Sequence, residues 1–333
     1  MAGGSSSITR RRSEPQTVAT KGPLTPRTGQ YIIMPGKRNG VLSNDTNIFG
    51  YMRFSYLGRS DVKLAQRDLD TRIQTLYSED RMNERFYLFE KICLPSLRWQ
   101  SDQDFRFAIF SSPEMPDPFK QRLANAVADI PQVEIIYETA SHITYAIHPW
   151  MERQPIIQQH RTAHFRLDDD DALSSDFIAT IRSHMQGVPN RCIISMPNGL
   201  FLVHADKGPE LLAKFEAHIA IGFTLVNDPG VIHNPYALRH GAHYQNVPSL
   251  MLPEPMGYIH TAHNFSDTIR AQQRKIQNAR EAHESRFGNK PRRFKMAVAR
   301  HFGGHKPPHF HKIIAEVPSS RTVGQKAAAT APA

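Results

Sequence analysis

Between residues 48 and 269 the apolar positions alternate between extended and helical spacing. Residues 47–57 are aromatic and extended in character and predict a first strand. The charged stretch after them, about twenty residues long, reads as a loop. Residues 82–94 set apolar side chains at helical spacing, and Pro95 is placed to kink or end that helix. Residues 103–111 alternate and predict a second strand, closed by Ser111-Ser112-Pro113. Residues 118–127 put Phe119, Leu123, Ala126 and Val127 on one helical face. A third strand is predicted at 133–137, a connecting helix broken by Pro155 at 148–159, and a fourth strand at 162–167. Strand and helix in strict succession predict an α/β fold, a doubly wound sheet with helices on both faces.

The fourth strand runs into Asp168-Asp169-Asp170-Asp171, and the chain is organised around this run. Four adjacent carboxylates at a strand end repel one another by on the order of 1 kcal/mol or more per pair unless solvent or a cation intervenes. Ligands of doubly wound sheets bind outside the carboxyl ends of the strands, where this run lies. The plain alternative is a solvated acidic turn that caps the next helix. Farther on, 191–203 reads as a hairpin turning at Asn198-Gly199, and 220–226 as a short strand. Residues 233–241 have the polar and aromatic character of a site loop, and His260 and His263 stand three apart. A basic helix is expected from about 267 to 287, and mobile chain beyond it.

Charge sharpens this division. The net charge is +10, yet residues 1–50 hold 7 bases against 2 acids and residues 270–333 hold 14 against 3, which leaves the middle acidic. Three segments follow: a basic, disordered 1–47; a folded 48–269; and a basic helix with a mobile tail, 270–333. Basic ends on an acidic body suit a polyanionic surface, and the basic helix suits peripheral contact with an anionic membrane. No zinc spacing or aromatic-basic platform marks a nucleic-acid binder. No apolar run is long enough to cross a bilayer, and no apolar core follows Arg10-Arg11-Arg12 as a secretory signal requires. Cys93 and Cys192 lie in apolar contexts and read as core residues of a reducing compartment. The expected location is cytoplasmic, with peripheral contact at the inner membrane face.

The succession of elements closed by Leu167-Asp168-Asp169-Asp170-Asp171 resembles the GT-A fold of nucleotide-sugar glycosyltransferases and their Asp-x-Asp motif. Residues 49–267 resemble a bacterial family of rhamnosyltransferases more closely. The matching pieces are Arg53-Phe54-Ser55, Glu84-Arg85-Phe86 through Leu94-Pro95-Ser96-Leu97, 105–112, 166–173, and His260 with His263-Asn264-Phe265-Ser266. The resemblance implies a GT-A-like mixed sheet, with a nucleotide-binding half and an acceptor half. It implies transfer of a sugar, rhamnose by the family name, from a nucleotide-sugar donor to a glycan or lipid-linked acceptor. It further implies that Asp168 meets the ribose or the metal and that Asp170 coordinates Mg2+ or Mn2+. Asp171 would touch the donor sugar, and His263 or His260 would complete the metal site. Arg53, Ser55 and Arg161 would lie near the base or phosphates. Many relatives read the base with an Asp at the end of the second strand, where this chain has Ser111-Ser112-Pro113-Glu114.

The chemistry is coherent. A departing nucleoside diphosphate gathers negative charge that a divalent cation stabilises, and an acceptor hydroxyl needs a base if configuration inverts. Asp228, Asp176, Glu254, His233 and His240 are the candidate bases, Asp228 foremost, with His233 and Arg239 near the acceptor. Each has a plain rival: a helix N-terminal acid for Asp171, a structural ion pair for Arg53, ordinary loop histidines for His260 and His263. The alternative functions are a non-catalytic nucleotide- or glycan-binding scaffold, and a nucleotidyl- or phosphoryl-transfer enzyme.

Overall fold

A computed structural model describes residues 46–58, 67–205, 208–238, 247–262, 269–288 and 290–303. The expected disordered segment 1–47, apart from its last two residues, lies outside them. So do Arg239, His240, His263 and the tail after 303.

Strand β1 (Ile48–Arg53) shows how the body is built. Its side chains alternate between two faces. Ile48 and Met52 join one core, while Phe49 and Tyr51 join another on the far side. The first core is closed by α2 (Glu79–Leu88), α3 (Leu94–Arg98), α4 (Asp117–Val127) and α7 (Phe177–His184); α5 (Ile143–Glu152) and α6 (Pro155–Gln159) close the second. Around β1 lie β2 (Arg106–Ser111), β3 (Val133–Tyr137), β4 (Thr162–Arg166), β6 (Cys192–Ser195), β9 (Thr224–Asn227) and β10 (Ser249–Met251). They form a seven-stranded sheet in the order β10-β6-β9-β4-β1-β2-β3, with β9 alone antiparallel. This is the expected doubly wound mixed sheet, with helices on both faces. Cys93 and Cys192 are buried and unpaired with each other, as core residues.

A second sheet runs β5-β11-β7-β8, from β5 (Ala172–Leu173), β11 (Tyr258–Ala262), β7 (Asn198–Ala205) and β8 (Gly208–Phe215). Leu200 and Leu202 face one core with Ala172 and Ile259, and Phe201 and Val203 face the other. The proposed 191–203 hairpin does not form. Residues 192–195 belong to the large sheet, and Asn198-Gly199 opens β7, whose partners are β11 and β8. Gly199 is required by contact rather than by a turn: a Cβ there would sit 2.6 Å from the Tyr258 ring.

Three further readings are corrected. The charged loop after β1 contains α1 (Leu69–Leu76), started by Asp68, whose carboxylate accepts from Thr71 N–H at 2.8 Å. Pro95 does not end its helix. A π turn at Phe89–Cys93 widens the backbone just ahead of it, so the missing N–H and the ring are accommodated and the helix runs on to Arg98. The stretch after 287 is not loose chain as far as it is described. Helix α8 (Ile269–Phe287) covers the Phe201–Val203 face through Ile276 and Ala279. Helix α9 (Pro291–Phe302) buries Val298 and Phe302 against Leu88, Ile92 and Leu200.

Candidate functional site

Strands β1 and β4 run parallel with Tyr51 opposite Arg166, and Leu167 N–H still bonds Tyr51 carbonyl at 3.0 Å. The acids therefore begin where both strands end. Asp171 N–H returns to Asp168 carbonyl at 3.3 Å, making a turn of the run, and Ala172 and Leu173 then pair with Ile259 and Tyr258 of β11. The run is thus pinned between the two sheets.

Its side chains divide in alternation. Asp168 and Asp170 are half-buried at the open side, while Asp169 and Asp171 are buried. The inner pair has structural partners. Asp169 forms an ion pair with Arg85 from α2, and its other oxygen is buried without a partner. Asp171 Oδ1 accepts from Thr261 N–H at 2.9 Å, and Thr261 Oγ1 donates to Asp170 carbonyl at 2.5 Å. Burial raises the Asp169 carboxyl despite Arg85, and burial with Asp170 and Asp168 nearby raises Asp171 well above the carboxylate range.

Asp168 behaves differently. Arg166 Nη2 donates to both of its oxygens at 3.0 Å. Burial would raise this carboxyl, but Arg166 and then Arg53 outweigh it and hold it below the ordinary value. The Arg166 guanidinium stacks 4.5 Å over the Tyr236 ring, and that of Arg53 lies 5.9 Å from the same ring. Arg53 makes no ion pair or hydrogen bond among the described residues. A free cation thus stands beside a paired aspartate at the carboxyl edge.

Behind Asp171, buried Lys214 of β8 joins Glu216 at 2.6 Å and His260 Nδ1 at 2.6 Å. An ammonium has only donors, so Nδ1 accepts and the ring proton sits on Nε2. Burial and Lys214 hold His260 neutral, its pKa lowered to about 3. In this arrangement the Nδ1 of His260 is taken up by Lys214. Among the described residues no group of three His, Cys, Asp or Glu is placed to hold a metal. His263, the other expected ligand, lies outside them.

The remaining expected residues are elsewhere. Ser55, with a left-handed φ of 44°, is buried; its hydroxyl donates to Met82 Sδ at 3.3 Å and accepts from Arg81 at 3.3 Å. Arg161 and Asp228 pair with each other at 3.2 Å at the opposite, amino edge of β4, where Thr162 faces Asn227. Six residues separate Arg161 from Asp168, roughly 20 Å along the strand. Asp228 is therefore not positioned to act as base at the acid run. Sequence reading passed over the roles of Arg85, Arg166, Thr261, Lys214 and Tyr236. Only the basic residue two before Asp168 and the aromatic loop around Tyr236 gave a signal.

Residues 47–275 match the family described as "Putative rhamnosyl transferase". No curated protein matches the sequence. Among solved structures, S. aureus TarS 1–349 is 10% identical with a TM-score of 0.34, and the match covers 65% of this chain and 60% of that one. TarS 1–349 in complex with UDP is 11% identical with a TM-score of 0.33, covering 70% and 66%. This chain thus spans less than two thirds of the first TarS chain. The family match takes in every strand of the seven-stranded sheet and the acid run it carries, and on that match the chain belongs to the family described as putative rhamnosyl transferase.

Proposed function

We propose that the protein transfers a sugar, rhamnose by family, from a nucleotide-sugar donor bound at the carboxyl edge of β1 and β4 to a polysaccharide or glycolipid acceptor. The observation that carries this is the alternation of the acid run: Asp169 and Asp171 are held inside by Arg85 and Thr261, while Asp168 and Asp170 stand at the open side. Two half-buried carboxylates one residue apart are hard oxygen donors suited to Mg2+ or Mn2+, which takes one or two protein carboxylates and completes its shell with phosphates. Asp168 and Asp170 would hold the cation, with His263 the candidate to join them. When bound, it supplies electrostatic stabilisation of the leaving diphosphate.

The chain's own residues do the rest. Arg53, without an ion pair or hydrogen bond among the described residues, takes a phosphate oxygen or the base. Arg166 keeps Asp168 ionised and fixes its rotamer through two hydrogen bonds. Tyr236 holds Arg166 flat and walls the site. The reaction would run in the cytoplasm. No helix among the described residues is long and apolar enough to cross a membrane.

The test is nucleoside diphosphate release from a panel of nucleotide sugars with Mn2+. Release from one donor, abolished by chelation and by Asp170→Ala, is expected. Absence of release from every donor, with nucleotide binding unchanged by Asp170→Ala, would favour a scaffold. Pyrophosphate from a nucleoside triphosphate would make the protein a nucleotidyl transferase.

A further inference from the structure

Helix α9 has two unlike faces. Phe294, Ala297, Val298, His301 and Phe302 turn inward. His301 fixes the helix to the start of α7, its Nδ1 2.9 Å from Asp176 Oδ2 and its carbonyl accepting from Ser175 N–H at 2.8 Å. The outward face carries Arg292, Arg293, Lys295, Met296 and Arg300, all exposed. At 100° per residue these fall within one arc of roughly 160°.

Two observations set this arc apart from an ordinary solvated face. No acidic residue occurs from Lys290 to Gly303, and among the described residues none of the four bases has an ion pair or hydrogen-bond partner. Helix α8 is different: Arg280 is matched by Glu210 at 2.6 Å, and Arg286 by Glu254 at 3.9 Å. At the middle of the α9 arc stands Met296, 64% exposed, beside Ala299. Unmatched bases flanking a small apolar centre, on a helix already locked by its other face, fit a flat anionic surface. A phosphate headgroup layer meets the guanidinium groups, and the thioether enters the interface.

We propose that the exposed arc of α9 docks this protein on an anionic lipid surface. The helix, rather than the more basic-looking start of α8, is the contact. Because His301 and Ser175 tie α9 to the segment leaving the acid run, docking also sets how the site faces the membrane. Vesicle binding is read without substrate, so the proposal stands or falls apart from the donor assignment.

The experiment is cosedimentation of the full chain with phosphatidylcholine vesicles and with phosphatidylcholine–phosphatidylglycerol vesicles over a salt series. Binding to the anionic vesicles alone, weakening with salt, is expected. Each base contributes roughly five-fold. Arg292→Gln with Arg293→Gln should therefore weaken binding about 30-fold, and adding Arg300→Gln about 100-fold or more. Thermal melting and nucleotide-sugar turnover in solution should stay unchanged in both variants. Equal binding to neutral vesicles, unaltered binding by the variants, or tighter binding to duplex DNA than to anionic vesicles at the same salt would each overturn the proposal.

Discussion

Thr261 N–H donates to Asp171 Oδ1 across 2.9 Å, and this bond ties the acid run to the second sheet. The acid needs its acceptor oxygen there, not its charge, because burial and two neighbouring aspartates oppose ionisation. Asp171→Asn keeps the acceptor and carries no ionisable group, so its stability should equal or exceed that of the parent. Asp171→Ala leaves a buried N–H unpaired and should cost about 1–3 kcal/mol. Urea denaturation of the two variants separates them. Equal destabilisation would show that the ionised carboxylate itself is required.

Arg53 and Arg85 approach the same acids but differ in what they hold. Arg85 neutralises Asp169, whose side chain is 2% exposed, so Arg85→Ala strands a buried acid and should cost about 3 kcal/mol or more of stability. Arg53 makes no ion pair or hydrogen bond among the described residues and only lies 5.9 Å from the Tyr236 ring. Arg53→Ala should leave stability within about 0.5 kcal/mol of the parent and weaken nucleoside diphosphate binding by roughly 10-fold or more. Calorimetry with the diphosphate, beside a denaturation curve, tests both arms. A stability loss for Arg53→Ala without a binding loss would make it a structural residue.

Gly199 is a position where local pattern misleads. The Asn198-Gly199 pair has the composition of a tight turn, yet it starts a strand whose backbone runs against Tyr258. Gly199→Ala would force a methyl to 2.6 Å from a ring that is itself 1% exposed. The expected cost is about 1–3 kcal/mol, measured by denaturation. A neutral outcome would mean that the ring can give way.

The same contrast explains what could be read in advance. Strands β1 to β4 announce themselves through aromatic and apolar residues at extended spacing, and the acid run is visible because its four carboxylates are adjacent in sequence. The second sheet is not visible. Only β7 and β8 are neighbours in the chain; β5 and β11 come from distant parts of it, and β5 is only two residues long. The counter-charges are hidden for the same reason: Arg85 reaches Asp169 from α2, and Lys214 comes from β8. Arg161 and Asp228 look like site residues by type, and only the antiparallel placement of β9 reveals that they meet at the other edge.

His164 gives the fold a pH dependence of definite sign. It is fully buried in β4, with Nδ1 2.8 Å from Tyr51 Oη and Nε2 2.8 Å from Thr162 Oγ1. Burial lowers its pKa from 6.5 to about 3. Above the unfolded value both states are neutral and the group is indifferent. Below it the unfolded chain takes a proton that the folded chain refuses, so stability falls as pH drops from 6.5 toward about 3. For His164 alone the loss should reach about 2 kcal/mol by pH 5. The raised carboxyls Asp169 and Asp171 work the other way as they take up protons on acidification, so the parent's curve is a mixture. The difference between the parent and His164→Gln isolates the histidine. The variant should be less stable at pH 7, where the paired imidazole is lost, and the gap should narrow steadily toward pH 5. A gap that stays constant over that range would mean that His164 titrates alike in the folded and unfolded chains.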